Sequence, residues 1–229
     1  MGLMTLEEFR DDVHALLDNR TDITPGAAGE SRDRLDRCIN FAYRQATLPS
    51  VFRHPALDSS QDIILAASTS DYALSSDLYA IEAVYLIEDD GHERRIVARN
   101  FPILLESRFI TTNATGRPSR YARRGQRIYF NQQPNTDLVG NIVTVYYLAR
   151  PTALSDPDDP TVIEEFWDQY IVFRAAGYLW QFFGQQQKAD YFREAAASLA
   201  NEAIENYDLD AADPTDGSEI DTEVLRSYT

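Results

Sequence analysis

The feature that most constrains the fold is the stretch Pro160–Gly184, PTVIEEFWDQYIVFRAAGYLWQFFG. Its apolar side chains surround the axis of a helix instead of forming one stripe, and a helix of that kind is buried on most sides. The apolar run is interrupted by Arg174 and Gln181 and is shorter than the ~20 residues that span a membrane. The stretch therefore predicts the central helix of a small helical core, and nothing in it is chemically reactive.

Both ends of this helix carry sequence signals. Asp159 is a suitable cap, Pro160 suits the first helical position, and Thr161 with Glu164 has the spacing of a capping box. Gly184 suits the residue that ends a helix. Together these signals predict a helix that begins at Pro160.

Three more segments have helical periodicity. Thr5–Asp18 begins with a capping box that ends at Glu8, and Ser31–Ala46 places Cys38 on its inward face. Gln187–Tyr207 is rich in alanine, and the short connection before it predicts an antiparallel hairpin with the central helix. Small side chains allow the two helix axes of that hairpin to approach closely.

Between the helical segments the periodicity changes to alternation, which predicts strands. The strand candidates are Ile63–Leu65, Tyr72–Leu74, Ile81–Ile87, Arg94–Val97, Tyr121–Arg123, Arg127–Phe130 and Ile142–Leu148. Turns are expected at residues 89–92 and 124–126, and a short helix around Phe101–Arg108. The predicted fold class is α+β: a helical bundle of two N-terminal helices and a long C-terminal helical hairpin, with an inserted antiparallel β region and an extended acidic tail. The expected boundaries are 1–57, 58–150, 151–207 and 208–229.

Charge is unevenly distributed in this chain of net charge −16. Residues 1–90 carry 17 acids and 7 bases, residues 91–150 carry 3 acids and 10 arginines, and residues 151–229 carry 17 acids and 4 bases. An acidic protein is a poor general binder of nucleic acid. The absence of a secretory signal and the single cysteine predict a soluble protein of a reducing cytosol, with no membrane association.

The sequence offers little for catalysis, and we predict neither enzyme activity, nor a metal, nor a cofactor. The three histidines, His14, His54 and His92, lack a second ligand at metal spacing and are expected at the surface. Glu164 and Asp168 are one helical turn apart, but acids at a helix start favour its dipole and face water. The aspartates after Tyr207 do not have the spacing of a calcium loop, and a solvated acidic tail explains them better.

Five arginines cluster on a predicted hairpin: Arg117, Arg120, Arg123, Arg124 and Arg127. Two interpretations explain these arginines equally well: a hairpin exposed to solvent, or a hairpin that contacts another molecule. The contact would be with DNA phosphate or with an acidic protein surface.

Several structural positions follow one another in a fixed order along residues 5–207. They are Leu48-Pro49, Tyr72–Asp77 with Ile81, Gly116–Pro118 with Tyr121, Gln126–Phe130 with Pro134, Tyr147 with Pro151, and Phe166–Gly184 with its alanine-rich partner helix. In this order they resemble the head-to-tail adaptors of tailed bacteriophages, which are called tail tubular protein A in short-tailed phages. Ser75 departs from the pattern, which has proline after Leu74, and predicts a looser start of one strand.

The resemblance implies a structural virion protein in the neck between head and tail, assembled in the host cytoplasm. It implies a homo-oligomeric, dodecameric ring that joins the portal protein to the downstream tail or nozzle protein, while genomic DNA passes through the channel without sequence-specific binding. In the family a C-terminal extension grips the portal, and here that role would fall on Leu209, Ile220, Val224, Leu225 and Tyr228. Deletion of residues 208–229 is then expected to abolish portal binding and leave the fold intact.

Three other functions stay open at this point. A neck stopper or tail terminator would share the acidic charge but is usually smaller and more uniformly β. A tail-associated cell-wall hydrolase would need a carboxylate in a cleft, and a nucleic-acid-binding regulator would use the arginine segment. Cell-wall digestion and salt-sensitive DNA binding discriminate these two from an adaptor.

Overall fold

The structure is a computed structural model that describes residues 3–18, 20, 22, 29–48, 50–88, 91–104 and 114–211, without the side chains of residues 31 and 206–211. The chain divides into two compact units. The helical unit comprises the residues up to Ala46 and those from Glu164 onward, and the β unit is Thr47–Ile163. The α+β class predicted from the sequence is confirmed.

In its described residues the helical unit has four α-helices: α1 is Leu6–Leu16, α2 is Glu30–Ala46, α3 is Asp168–Phe182 and α4 is Gln186–Ala211. α3 packs against the other three helices, most extensively against α4 and α2. Nine of its fifteen residues are buried, which confirms that this segment is the central helix. Gly184 follows α3 with φ at 72°, a left-handed conformation that suits glycine.

The predicted start of the central helix is wrong. A single 3-10 turn, Glu165–Trp167, precedes α3, and residues 160–164 are not helical. Asp159 does not cap a helix, because its carboxylate accepts hydrogen bonds from the backbone N–H groups of Ser155 and Asp156, at 2.7 and 2.8 Å. These bonds close a local turn and lower the pKa of Asp159.

The capping box at the start of α1 is confirmed: the Thr5 hydroxyl accepts from the Glu8 N–H, and the Glu8 carboxylate accepts from the Thr5 N–H. α4 continues to Ala211, four residues past its predicted end at Tyr207. The close approach of α3 and α4 is also confirmed, because a Cβ at Gly177 would lie only 3.4 Å from the Ala189 carbonyl oxygen.

The described residues of the β unit form two four-stranded sheets. The strands are β1 Asp58–Ile64, β2 Asp71–Ala73, β3 Leu78–Ile87, β4 Glu93–Arg95, β5 Val97–Ala98, β6 Arg120–Arg124, β7 Arg127–Phe130 and β8 Ile142–Ala149. The first sheet has the order β1-β8-β3-β4 and the second β2-β7-β6-β5. Each predicted strand candidate overlaps an observed strand, but two of them differ in extent. β1 begins five residues before Ile63, and the candidate Arg94–Val97 is divided at Ile96 into β4 and β5, which belong to different sheets. The pairing of β5 with β6 is parallel, so the second sheet is mixed and not wholly antiparallel.

Both sheets contribute to one hydrophobic core. Val84 and Val145 from the first sheet and Ile128 and Phe130 from the second belong to the same buried cluster. Alternate residues of these strands therefore face each other, as the alternating sequence predicts. The register of β3 against β8 shifts between Leu78 and Ala80, which marks a β-bulge.

Two residues of the β unit differ from their predicted environments. His54 is fully buried and not at the surface, because its ring packs edge-on against Phe52, with centroids 4.8 Å apart. Ser75 lies between β2 and β3, and its backbone N–H donates to the side-chain oxygen of Gln61 at 2.8 Å. Proline has no N–H for that bond, so serine anchors this position and does not loosen it as predicted.

Some predictions concern residues outside the described part of the chain. Pro49, the turn residues Asp89 and Asp90, and residues 105–113 and 212–229 belong to this group. Of the predicted helix Phe101–Arg108, residues 101–104 are described and helical. Within the described ranges, no helix combines the length and the apolar character needed to cross a membrane.

Candidate protein interaction site

The carboxylates considered for catalysis do not form a pair. Asp168 is buried and not solvated as predicted, because its carboxylate accepts a hydrogen bond from the backbone N–H of Met4 at 3.3 Å. Glu165 is exposed on the 3-10 turn, and Glu164 precedes that turn. Asp168 therefore ties the segment before α1 to the start of α3. No group of three or more His, Cys, Asp or Glu side chains with the arrangement of a metal site occurs among the described residues.

A depression of about 340 Å³ lies beside β5 in the β unit. Among the residues that line it, the only carboxylate is that of Glu82, which pairs with Arg53 at 2.9 Å. A carboxylate that is already engaged in an ion pair is poorly placed to donate a proton to a substrate as a general acid. The depression consequently gives no support to hydrolysis.

The structure uses several of the clustered arginines within the β unit itself. Arg117 pairs with Glu88 at 2.8 Å and Arg127 pairs with Asp71 at 2.6 Å. The guanidinium of Arg124 lies over the Phe101 ring, 5.1 Å from its centroid. Arg120 is exposed and has no ion pair with a described carboxylate.

Arg123 has a structural role that the sequence does not reveal. Its guanidinium donates to the carbonyl oxygens of Leu78 at 3.1 Å and Tyr79 at 2.5 Å, and to that of Gly125 at 2.9 Å. Tyr79 lies at the β-bulge, where the pairing of β3 with β8 is irregular. Arg123 of β6 therefore donates to a carbonyl in this irregular part of β3 and joins the two sheets. Burial, followed by repulsion from Arg150, lowers the pKa of Arg123.

An exposed surface of the helical unit combines aromatic rings with arginines. We call it the aromatic–arginine face, and it consists of Arg34, Cys38, Phe41 and Gln45 of α2 with Arg174, Tyr178, Gln181 and Phe182 of α3. The spacing of the α2 members places them on one side of that helix. Phe41 is 52% exposed and Phe182 58% exposed. Large exposed rings that lie close together are typical of surfaces that bind another protein.

The side chains of this face hold one another in place. The Phe41 and Tyr178 rings meet edge to face with centroids 5.0 Å apart, and the Arg34 guanidinium lies 3.9 Å from the Phe182 ring centroid. The Gln45 oxygen accepts from Arg174 Nε at 3.0 Å and from the Tyr178 hydroxyl at 2.5 Å. A preorganised surface loses little side-chain entropy on binding.

Cys38 is a half-buried member of this face, and not the buried core residue that its position on α2 predicts. Burial raises the pKa of its thiol. A thiol with a raised pKa is a poor nucleophile, so its place in the face is structural.

A second surface of the helical unit lies along α4. Phe166, Leu199, Glu202 and Ala203 line a groove of about 250 Å³, which we call the acidic groove. Phe166 is 47% exposed, and the exposed Glu165 and Glu205 are close in sequence to the residues that line the groove. None of Glu165, Glu202 and Glu205 is ion-paired with a described basic side chain.

The C-terminal residues proposed to contact a portal are only partly described. Leu209 lies in the last turn of α4 and not in an extended tail, although its side chain is outside the description. Ile220, Val224, Leu225 and Tyr228 lie outside the described residues.

Comparison with known proteins identifies the family. A model of the SU10 adaptor protein family matches residues 4–218, which is nearly the whole chain. The chain belongs to the SU10 adaptor protein family. This membership makes it a structural adaptor of the bacteriophage virion and confirms the adaptor resemblance, though not the likeness to tail tubular protein A. No curated protein matches the chain.

The aromatic–arginine face of this SU10 family member was not predicted from the sequence. One signal was available: Phe41 is a large aromatic on α2 that does not share the direction of the buried Leu35, Ile39 and Ala42. An unassigned exposed aromatic indicates a contact surface. The residues that complete the face come from α3, which periodicity alone cannot pair with α2.

Proposed function

We propose that this protein is a head-to-tail adaptor that forms a ring, a dodecamer, joining the portal protein to the next tail component around the DNA channel. The match of the SU10 adaptor protein family over residues 4–218 carries the proposal. The described surfaces agree with it, because the helical unit offers exposed aromatic and charged faces suited to protein contacts. We also propose that the protein is similar to tail tubular protein A and that it lies in the neck of the virion.

The C-terminal segment is the proposed portal-binding element. Its apolar side chains, Leu209, Ile220, Val224, Leu225 and Tyr228, are separated by acids and turn residues. A segment of this composition binds by placing a few apolar anchors on a partner surface. Because α4 continues to Ala211, deletion of residues 212–229 tests this role more cleanly than deletion of residues 208–229, which removes helical residues.

The arginine hairpin is the proposed contact with the tail protein. Arg117 and Arg127 already have carboxylate partners, and Arg123 is used between the sheets. Arg120 and Arg124 are therefore the strongest candidates for pairing with an acidic partner.

The charge of the chain supports a role around DNA without binding it. Copies with a net charge of −16 each make a ring that repels phosphate. A lumen of that sign favours free passage of DNA, because arginines facing the channel would retain it.

Native mass spectrometry of the protein mixed with the portal ring of the same phage tests the proposal. We expect a full ring of copies on the portal, and a loss of loading when residues 212–229 are deleted. Circular dichroism of the truncated protein is the control, since α1 to α4 lie within residues 1–211. Normal loading by the truncated protein would remove the C-terminal segment from the proposal, and absence of loading by the full chain would contradict the portal contact itself. A stopper or terminator would instead bind an adaptor ring or a tail tube.

A further inference from the structure

We infer that the aromatic–arginine face of one copy binds the acidic groove of the next copy, so that unlike surfaces meet around the ring. This inference rests on the proposed function, which supplies the ring, and it adds the surfaces that build the ring. The occupant of each surface is thus a second copy of the same chain.

Charge complementarity identifies the occupant. In the aromatic–arginine face, Arg34 and Arg174 are held by a ring and by neutral oxygen acceptors, and neither is ion-paired with a described carboxylate. The acidic groove and its borders carry Glu165, Glu202 and Glu205, again without a described basic partner. Two guanidinium groups and three carboxylates, none of them paired within the described part of the chain, are complementary between copies.

The apolar parts of the two surfaces are also complementary. The exposed Phe41 and Phe182 rings of the face are large projecting groups, and the groove offers an apolar floor of Leu199 and Ala203 beside Phe166. Aromatic side chains placed in a groove, with charges around them, form the arrangement of a specific protein interface.

The two surfaces point in different directions, and this determines how copies associate. Arg193 of α4 donates to Gln181 of the face at 2.7 Å, so that side of α4 borders the aromatic–arginine face. Glu202 is nine residues further along α4, which at 3.6 residues per turn corresponds to a rotation of about 180°. Leu199 and Ala203, which also line the groove, are rotated by about 120° and 80° from Arg193, so the groove opens on a different side of α4 from the aromatic–arginine face. Contact between unlike, differently directed surfaces repeats from copy to copy and produces a closed ring when the rotation closes.

Cross-linking tests the pairing directly. Cys38→Ala removes the native cysteine, and Gln181→Cys and Glu202→Cys in the same chain then place one thiol on each surface. The protein is loaded on the portal ring, treated with a short bismaleimide and analysed on a denaturing gel. We expect a ladder of dimers, trimers and higher multimers, because each copy is joined to two neighbours. The matched control carries Glu194→Cys in place of Glu202→Cys, and we expect at least a tenfold weaker ladder because that position is turned about 80° away on α4.

The outcomes separate the pairing from the adaptor role. Loading on the portal without cross-links above the control would overturn the pairing and leave the adaptor role intact. Cross-linking that stops at dimers would also overturn it, because it indicates like surfaces in contact. A ladder from the free protein with no portal loading would support the pairing and contradict the adaptor role. Neither loading nor a ladder would contradict both.

Charge reversal supplies an independent test. We expect Arg34→Glu and Glu202→Lys each to raise the concentration needed to fill the ring about tenfold or more, because like charges then face each other. The two changes combined in one chain, or the two variants mixed, restore opposite charges at every contact and should recover most of the loss. Arg44→Glu and Glu194→Lys, which are exposed and lie about 80° around their helices from Arg34 and Glu202, are the matched controls for the change of charge. If the single variants fold but the combined variant needs as high a concentration to fill the ring as they do, the pairing is contradicted.

Discussion

Arg10 is the residue whose replacement best tests what holds the helical unit together. Its side chain is 1% exposed in α1, and it donates from Nε and Nη2 to the two carboxylate oxygens of Asp36 in α2, at 2.7 and 2.8 Å. Its Nη1 donates to Glu7 at 2.5 Å. The hydrogen bond to Asp36 raises the pKa of Arg10, so the guanidinium is charged at every accessible pH. These bonds join α1 to α2, which residues 17–29 separate in the sequence.

The loss of stability expected for Arg10→Met depends on how well water can hydrate Asp36 and Glu7 once the guanidinium is gone. Removal of one member of a buried pair costs about 3–5 kcal/mol. Asp36 is 24% exposed and can recover some hydration, so we expect a lower value for Arg10→Met. The change removes three charge-assisted hydrogen bonds, two to Asp36 and one to the more exposed Glu7, while Met keeps the apolar packing of the stem. We expect the free energy of unfolding to fall by about 2–3 kcal/mol. Glu7 is 44% exposed, and Glu7→Gln should cost under ~0.5 kcal/mol.

Urea unfolding followed by helical circular dichroism measures these values. The double-mutant cycle of Arg10→Met and Asp36→Leu should give a coupling energy of about 1.5–2.5 kcal/mol, since the second change removes the carboxylate that the first leaves unpaired. Glu7→Gln is the matched control for the exposed partner. A coupling energy under about 0.5 kcal/mol would refute the view that these bonds join α1 and α2.

Three further predictions follow from individual side chains. Arg123→Met should lower the free energy of unfolding of the β unit by about 1–3 kcal/mol, because the carbonyls of Leu78 and Tyr79 in β3 lose a charged donor that joins the two sheets. Arg127→Met breaks an exposed pair and should cost under ~1 kcal/mol, and equal losses would contradict a special role for Arg123. Gly177→Ala should stabilise α3 by up to about 1 kcal/mol, because the added Cβ meets its nearest atom at an ordinary 3.4 Å. A thermal melt that shows destabilisation would contradict this prediction. Cys38 should react with iodoacetamide at pH 8 about tenfold more slowly in the folded protein than in urea, because burial raises the pKa of its thiol; equal rates would contradict that burial.

The sequence predicts elements whose signals are local and repeated. The alternating runs of the β unit and the periodic runs of α1 and α2 are found where expected, because each signal is summed over many residues. The start of α3 depends on a few capping residues, and there the competing turn closed by Asp159 prevails. Asp168 and His54 are buried for the same kind of reason, since each finds a partner that composition does not reveal.

The interaction surfaces depend on contacts between distant parts of the chain. Gln45 and Arg174, which meet in the aromatic–arginine face, are 129 residues apart in the sequence. Arg34 and Phe182 are a second pair that only the packing of α2 against α3 brings together. Periodicity assigns a side chain to a side of its own helix, but it does not identify which helix lies beside it.

Ionic strength provides a test of how copies with a net charge of −16 associate. Repulsion between whole copies acts over long distances and is screened at 0.15 M salt, where the Debye length is about 8 Å. Ion pairs between Arg34 and the glutamates of the groove act over a few ångströms and are screened much less. Ring filling on the portal should therefore improve as salt rises from about 10 to 150 mM and weaken again towards 1 M, where the Debye length is about 3 Å. The combined Arg34→Glu/Glu202→Lys variant keeps its net charge and should show the same optimum. A steady decline from the lowest salt upward would contradict this balance, since it would mean that attraction, and not repulsion, dominates at long range.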